Sequence, residues 1–274
     1  MSALVAEARK VPAFLRRDWL TMLSYRAAFV GDLLAIAVQA IMFGFLSKLV
    51  DPATLPSYNG VHAGYFEFVM IGVVIATVSG LLLQKVSTAI RQEQLMGTLE
   101  ALMATPTTGA TLQIGSVAYT LLFVPIRAAI LLGAFALGFG LDFHLSGIWP
   151  ALALLVAFLP FTWGLGLLSA GLIITFKRGA NVTGFALTLL GLISGAVFPI
   201  ALLPGALRAL AGWNPFALCI DGARDALIGG TGWAPAATSL LKLAPLSIVG
   251  FAIGVLCFRA AIARERRRGT LGAY

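Results

Sequence analysis

Apolar residues run along this chain in blocks too long for the core of a soluble domain, broken at intervals by short polar or basic segments. Residues 143–176 contain no Asp, Glu, Lys or Arg, and neither do residues 179–207. About 20 such residues suffice for a helix to cross a bilayer. The pattern predicts spans over residues 27–47, 65–84, 111–140, 150–175, 182–199 and 240–259. The third is longer than a bilayer core requires at about 1.5 Å per residue, so a tilt or a kink at Pro125 is expected. The first carries Asp32, close enough to its start to be hydrated there, and Gln39.

Three segments are amphipathic or broken instead. In residues 13–26, Leu15, Trp19, Met22 and Leu23 form one stripe, while Arg16, Arg17 and Asp18 lie mostly opposite. That predicts a helix in the membrane interface, with Trp19 and Tyr25 at headgroup depth. Residues 85–106 (KVSTAIRQEQLMGTLEALMATP) read as a second amphipathic helix stopped by Pro106. At 100° per residue, Glu93, Gly97, Glu100 and Ala104 share one side, and Leu95, Leu99 and Leu102 the other. Helices that lie on lipid usually carry Lys and Arg on the polar side. Here the polar side carries Glu, which favours docking against a protein. Residues 200–238 are too polar to span, are broken by Pro204, Pro215 and Pro235, and hold Arg208, Asp221, Arg224 and Asp225. Two short helices, over 207–211 and 217–228, are expected there, dipping into the outer leaflet.

Composition supports the membrane reading. Hydrophobic residues make up 59% and charged residues 11%, with a mean hydropathy of +0.96, whereas soluble domains are about a quarter charged. The net charge of +8 comes from residues beside the apolar runs, where they set topology, so nucleic acid is not implied. With both termini in the cytosol, that side receives Arg9, Lys10, Arg16, Arg17, Arg26, Lys85, Arg91, Lys177, Arg178, Arg259, Arg264, Arg266, Arg267 and Arg268. The outer side receives Lys48, Arg208, Arg224 and Lys242. The expected fold is therefore an all-α integral membrane protein. It has six transmembrane helices, an N-terminal interface helix, short re-entrant outer helices between spans five and six, and both termini inside. Residues 1–26 are too rich in Arg, Asp and Trp for a cleavable signal core, and the two cysteines, Cys219 and Cys257, do not suggest a disulfide framework.

Enzymatic motifs are absent. The chain has no Gly-Lys pair, hence no phosphate-binding GxxxxGK[ST] loop, and no HExxH or GxSxG. His62 and His144 fall in predicted outer loops. Arg127, inside the third span, has two readings: it lines a polar path or faces Asp32 or another acid, or it snorkels or forms a structural pair near the middle of a tilted helix. Asp221, Arg224 and Asp225 either gate an outer exit or make a local ion pair. Gly191 with Gly195, and Gly250 with Gly254, are GxxxG pairs that let helices approach closely, within the chain or between two chains.

Two segments carry a family resemblance. Glu93-Gln94-Leu95-Met96-Gly97-Thr98-Leu99-Glu100, with Leu102 and Thr105-Pro106, is one. Val197-Phe198-Pro199-Ile200, Leu203-Pro204 and Asn214-Pro215-Phe216, followed by Asp221-Gly222-Ala223-Arg224, is the other. Together they resemble the permease subunit of a type-2 ABC transporter over nearly the whole chain. The resemblance implies one transmembrane domain over residues 1–274, working as a dimer, homomeric or heteromeric, in the plasma membrane of a bacterial cell. It implies a separate cytosolic ATPase that binds ATP and Mg, so that this chain holds no cofactor and no catalytic residue. Arg91, Glu93, Gly97, Thr98 and Glu100 would seat that ATPase. Spans one and five would line the dimer interface and substrate path, with Asp32, Gln39, Gly191 and Gly195. Asp221, Arg224 and Asp225 would belong to the outer gate. The fifth span offers Phe185 and Phe198 among Leu, Gly, Thr and Ser, which favours a hydrophobic or amphiphilic cargo over the lipid-linked polysaccharide that other members export. The competing class, an ion-coupled secondary transporter, needs midplane carboxylates or broken helices, for which Asp32 and Arg127 are the deep candidates.

Overall fold

The computed structural model describes residues 11–24, 26–51, 54–95, 109–140, 143–176, 184, 188–230 and 232–268. Eight helices organise them: α1 (Val11–Ser24), α2 (Arg26–Leu46), α3 (Tyr65–Leu95), α4 (Gly109–Phe139), α5 (Ile148–Phe176), α6 (Gly205–Ala211), α7 (Pro215–Leu227) and α8 (Trp233–Arg268). A two-stranded hairpin, β1 (Ser57–Tyr58) with β2 (Val61–His62), precedes α3, and short 3-10 turns lie at Leu145–Gly147 and Ile200–Leu202.

Among the described residues four helices are long and apolar enough to cross a membrane: Tyr65–Ala89, Val117–Phe139, Leu145–Ile173 and Trp233–Arg264. Helix α2 adds the shorter apolar stretch Ala37–Leu46. Of the expected fifth span, residues 188–192 are helical and the chain then turns at 193–195, well short of Pro199. The spans stay helical through Pro125, Pro160 and Pro245, as spanning helices do when neighbours satisfy the freed backbone.

Helix α3 is the centre of the bundle. Its apolar window is 67% buried, against 22% for α4 and for α8, and it packs on α4, α5 and α7. Helix α5 packs along α8, where Gly164 and Gly254 leave room for backbone against backbone: a Cβ on Gly164 would strike the Gly250 carbonyl at 2.5 Å. The second GxxxG pair is thus spent inside the chain. Helix α1 lies on α4: the Phe14 ring occupies the space a Cβ on Gly115 would fill, and Trp19 packs on Phe123 at 5.6 Å beside the Tyr119–Phe123 stack at 4.4 Å.

Two further boundaries differ from expectation. The second span and the first half of the acidic segment are one uninterrupted helix of 31 residues, about 46 Å long, because nothing between Lys85 and Leu95 breaks the hydrogen-bond ladder. The last helix is longer than its span at both ends, running from Trp233 to Arg268.

Candidate functional site at the hairpin end

Arg224, Asn214 and Ser194, three of the buried polar side chains among the described residues, lie where the hairpin, the start of α3, the chain after residue 192 and α7 meet. Helix α7 is placed there by Asn214-Pro215. Pro at the first helical position has no amide to leave unsatisfied, and the Asn214 side chain caps the helix by accepting from the Phe216 amide at 3.1 Å. Its Nδ2 donates to the Leu190 carbonyl at 2.9 Å. That carbonyl is free because the Ser194 amide donates to Gly191 instead, as the helix tightens and ends. Gly195 then takes a left-handed φ of 72°. Gly191 and Gly195 therefore do not share one helix face: the first is exposed on the last turn, the second is buried beyond it against Ile200.

Arg224 is the hub. It is 1% exposed, yet its donors are well partnered. Nε and Nη2 donate to the Phe68 carbonyl at 3.0 and 2.8 Å, Nη2 also to the Ala196 carbonyl at 3.0 Å, and Nη1 to Asp221 Oδ1 at 3.2 Å. The guanidinium lies 3.5 Å over the Phe68 ring centre. One side chain of α7 thus ties α3, the turn at Ala196 and its own helix together with charge-assisted bonds. Gly72 makes this approach possible, since a Cβ there would occupy the position of the Ala196 backbone.

The hairpin closes the cluster. Asn59 and Gly60 have positive φ of 51° and 79°, the geometry of a tight two-residue turn. This presents buried Tyr58 to the Arg224 guanidinium, and burial pushes its phenol up well beyond the ordinary range. Asn59 Nδ2 donates to the Gly229 carbonyl at 3.1 Å, just past α7. Burial and then the charge of Asp221 hold the Asp225 carboxyl above its ordinary value. Nothing in this cluster sets a nucleophile against a base. Among the described residues no group of three His, Cys, Asp or Glu side chains is gathered for a metal. What the arrangement can do is mechanical: hold or release the seam between α7, α3 and the chain after residue 192.

Asp221, Arg224 and Asp225, the residues expected at an outer gate, are thus brought together, and the local i, i+3 pair is present but is the least of what Arg224 does. Gln39 is half-buried on α2, and Asp32 falls within the same helix. Arg127 is half-buried on α4 and shares an electrostatic environment with Tyr119, as does Asp18 of α1. Arg91 and Glu93 lie in the last turns of α3, whereas Gly97, Thr98 and Glu100 are outside the described residues. Sequence reasoning missed Tyr58, Gly72 and the capping role of Asn214. Asn59-Gly60 was a readable hairpin signal and Asn214-Pro215 a readable helix start; Gly72 carried no local signal.

Residues 9–228 match the family model described as the ABC-2 type transporter. The chain belongs to that family. It is a membrane-embedded permease subunit of an ABC transporter, and the matched range takes in Arg224 with its partners Phe68, Ala196 and Asp221. A comparison with curated proteins finds no match.

Proposed function

We propose that this permease exports a hydrophobic or amphiphilic compound, such as a drug, an antibiotic or a lipid-like molecule, across the plasma membrane of a bacterium. It works as a pair of six-span permease chains, with termini in the cytosol and the hairpin end outside. ATP and Mg are bound by a separate cytosolic ATPase, seated on Arg91, Glu93, Gly97, Thr98 and Glu100. The observation that carries this reading is the continuity of α3. One 31-residue helix carries the Phe68 carbonyl clamped by Arg224 in its first turn and Arg91 and Glu93 in its last turns. A helix moves as a rigid body when its end is pushed, so closure of the ATPase under its last turns is felt at the opposite seam without an intermediate joint. Loosening that seam opens a path between the two permease chains, lined by spans one and five with Asp32, Gln39 and Gly191, whereas Gly195, buried against Ile200, stays inside the chain.

Co-purification tests the partner. The wild-type chain should bring down an ATPase, and the double variant Glu93→Arg with Glu100→Arg should lose it. ATP hydrolysis by the complex, measured against a panel of lipids, glycans and amphiphilic drugs, should rise with the amphiphiles. Movement of cargo by the purified chain alone, driven by an ion gradient without ATP, would overturn the reading in favour of a secondary transporter.

A further inference from the structure

A cavity of about 390 Å³ lies in the hairpin half of the bundle between α3, α4, α5 and α7. Its floor is buried: Ile71 and Val74 of α3, and Ala223 and Leu227 of α7. Its rim is open: Leu137 at the end of α4 and Leu145 in the turn before α5 line it while 92% and 79% exposed. The mouth exists because α4 and α5 touch only sparsely, and Gly133 widens it, since a Cβ there would meet nothing within 4 Å. Every lining side chain is Gly, Ala, Val, Leu, Ile or Phe. Water needs two to four polar partners to settle in such a space, roughly, and here it has none among the side chains. A void of this size left empty would forfeit packing along four helices.

The mouth continues the exposed apolar stripe of α4 that runs through Leu122, Ile126, Ile130 and Leu137. The solvent of that surface is hydrocarbon. Between the turn before α5 and the end of α7 the cavity is closed by backbone contacts: the His144 amide donates to the Leu227 carbonyl at 2.9 Å, and Gly147 abuts Ala226. A transported molecule would have no way through, whereas a chain that enters and leaves by the same mouth needs none. We propose that this cavity holds one acyl chain of a membrane phospholipid from the leaflet on the hairpin side. The chain supplies the wall that α7 lacks. Ala223 immediately precedes Arg224 and Leu227 follows it by three residues, so the lipid braces the helix whose arginine clamps α3. This site lies apart from the path between permease chains and does not depend on which compound is exported.

The test uses the full chain in nanodiscs containing a phosphatidylcholine with a diazirine near the end of one acyl chain. After irradiation, adducts are mapped residue by residue by tandem mass spectrometry. Adducts should appear on Ala223 or Leu227, both 2% exposed and closed to bulk lipid, as well as on Leu122 and Ile130. Gly133→Phe, which puts a ring into the mouth, should reduce the Ala223 and Leu227 adducts roughly tenfold by filling a site of this size, and leave those on Leu122 and Ile130 unchanged. Gly133→Leu, a milder filling that tolerates packing better, should give a smaller loss in the same direction. Gly80→Phe, at another open glycine of α3, should change nothing. Labelling of Leu122 and Ile130 without any on Ala223 or Leu227, or α7 labelling indifferent to both Gly133 variants, would overturn the proposal.

Discussion

Helices α6 and α7 are neighbours in sequence, both short and both beside the same seam, yet they are built on opposite terms. Of α6, only Ala211 is buried, while Leu207 and Leu210 face outward, as does Trp213 just beyond. Of α7, ten residues are buried, including a charged one. Each helix also carries one arginine. Arg208 donates to the carbonyls of Ala201 and Leu203, within its own neighbourhood. Arg224 donates to carbonyls 156 and 28 residues away. The difference teaches where stability and where partnership reside. Helix α7 is part of this chain's core, and its arginine is a fastener. Helix α6 keeps its apolar side unspent, so that side is left open to whatever surrounds the chain.

The comparison breaks most visibly at Arg224. Arg224→Ala leaves the Phe68 and Ala196 carbonyls without their buried donor and should cost about 3–5 kcal/mol, read as a fall in unfolding free energy in nanodiscs. Arg224→Lys keeps the charge but cannot fork between two carbonyls and stack on Phe68, and should recover less than half. A loss under about 1 kcal/mol for the alanine variant would show that the hub is not a fastener. Glycines sharpen the contrast next. A methyl on Gly147 would run into the Ala226 carbonyl of α7, so Gly147→Ala should destabilise by about 1–3 kcal/mol. Gly205→Ala, at the open start of α6, should stay within about 0.5 kcal/mol of wild type.

A pH series separates the two helices more finely. The raised carboxyl of Asp225 means that the folded chain holds a proton the unfolded chain has released, between the ordinary aspartate range and the raised value. Stability is therefore favoured below that window and falls as pH rises through it. Asp225→Asn should flatten this slope in unfolding curves measured across acidic pH. The smallest effect belongs to Arg208→Ala, within about 0.5 kcal/mol on unfolding. If α6 faces a second chain, the same variant should weaken crosslinking between cysteines placed at Leu210 on the two chains, with stability unchanged.

Much of this was legible in the residues. Charge-free runs give helices wherever the backbone must satisfy itself in lipid, so the spans expected over 65–84, 111–140 and 150–175 are recognisable in α3, α4 and α5. The prolines that break residues 200–238 forecast two short helices, and they appear as Gly205–Ala211 and Pro215–Leu227. The reading of 85–106 as a separate helix did not survive in its first half, because amphipathicity reports which side meets water and says nothing of where a helix begins. The two GxxxG pairs look alike on paper. Only the packing shows that Gly254 abuts the backbone of α5, whereas Gly195 sits in a turn.

Sequence by itself determined that this chain lives in a membrane, where four of its apolar helices run, and which family it joins, since these follow from local hydrophobicity and from motifs contiguous along the backbone. Tertiary structure alone decided what Arg224 is for. Its partners Phe68 and Ala196 contribute carbonyl oxygens that every residue has, so no side-chain pattern could name them. A buried charge is held by whatever backbone the fold delivers to it, and that delivery is a property of the assembled bundle.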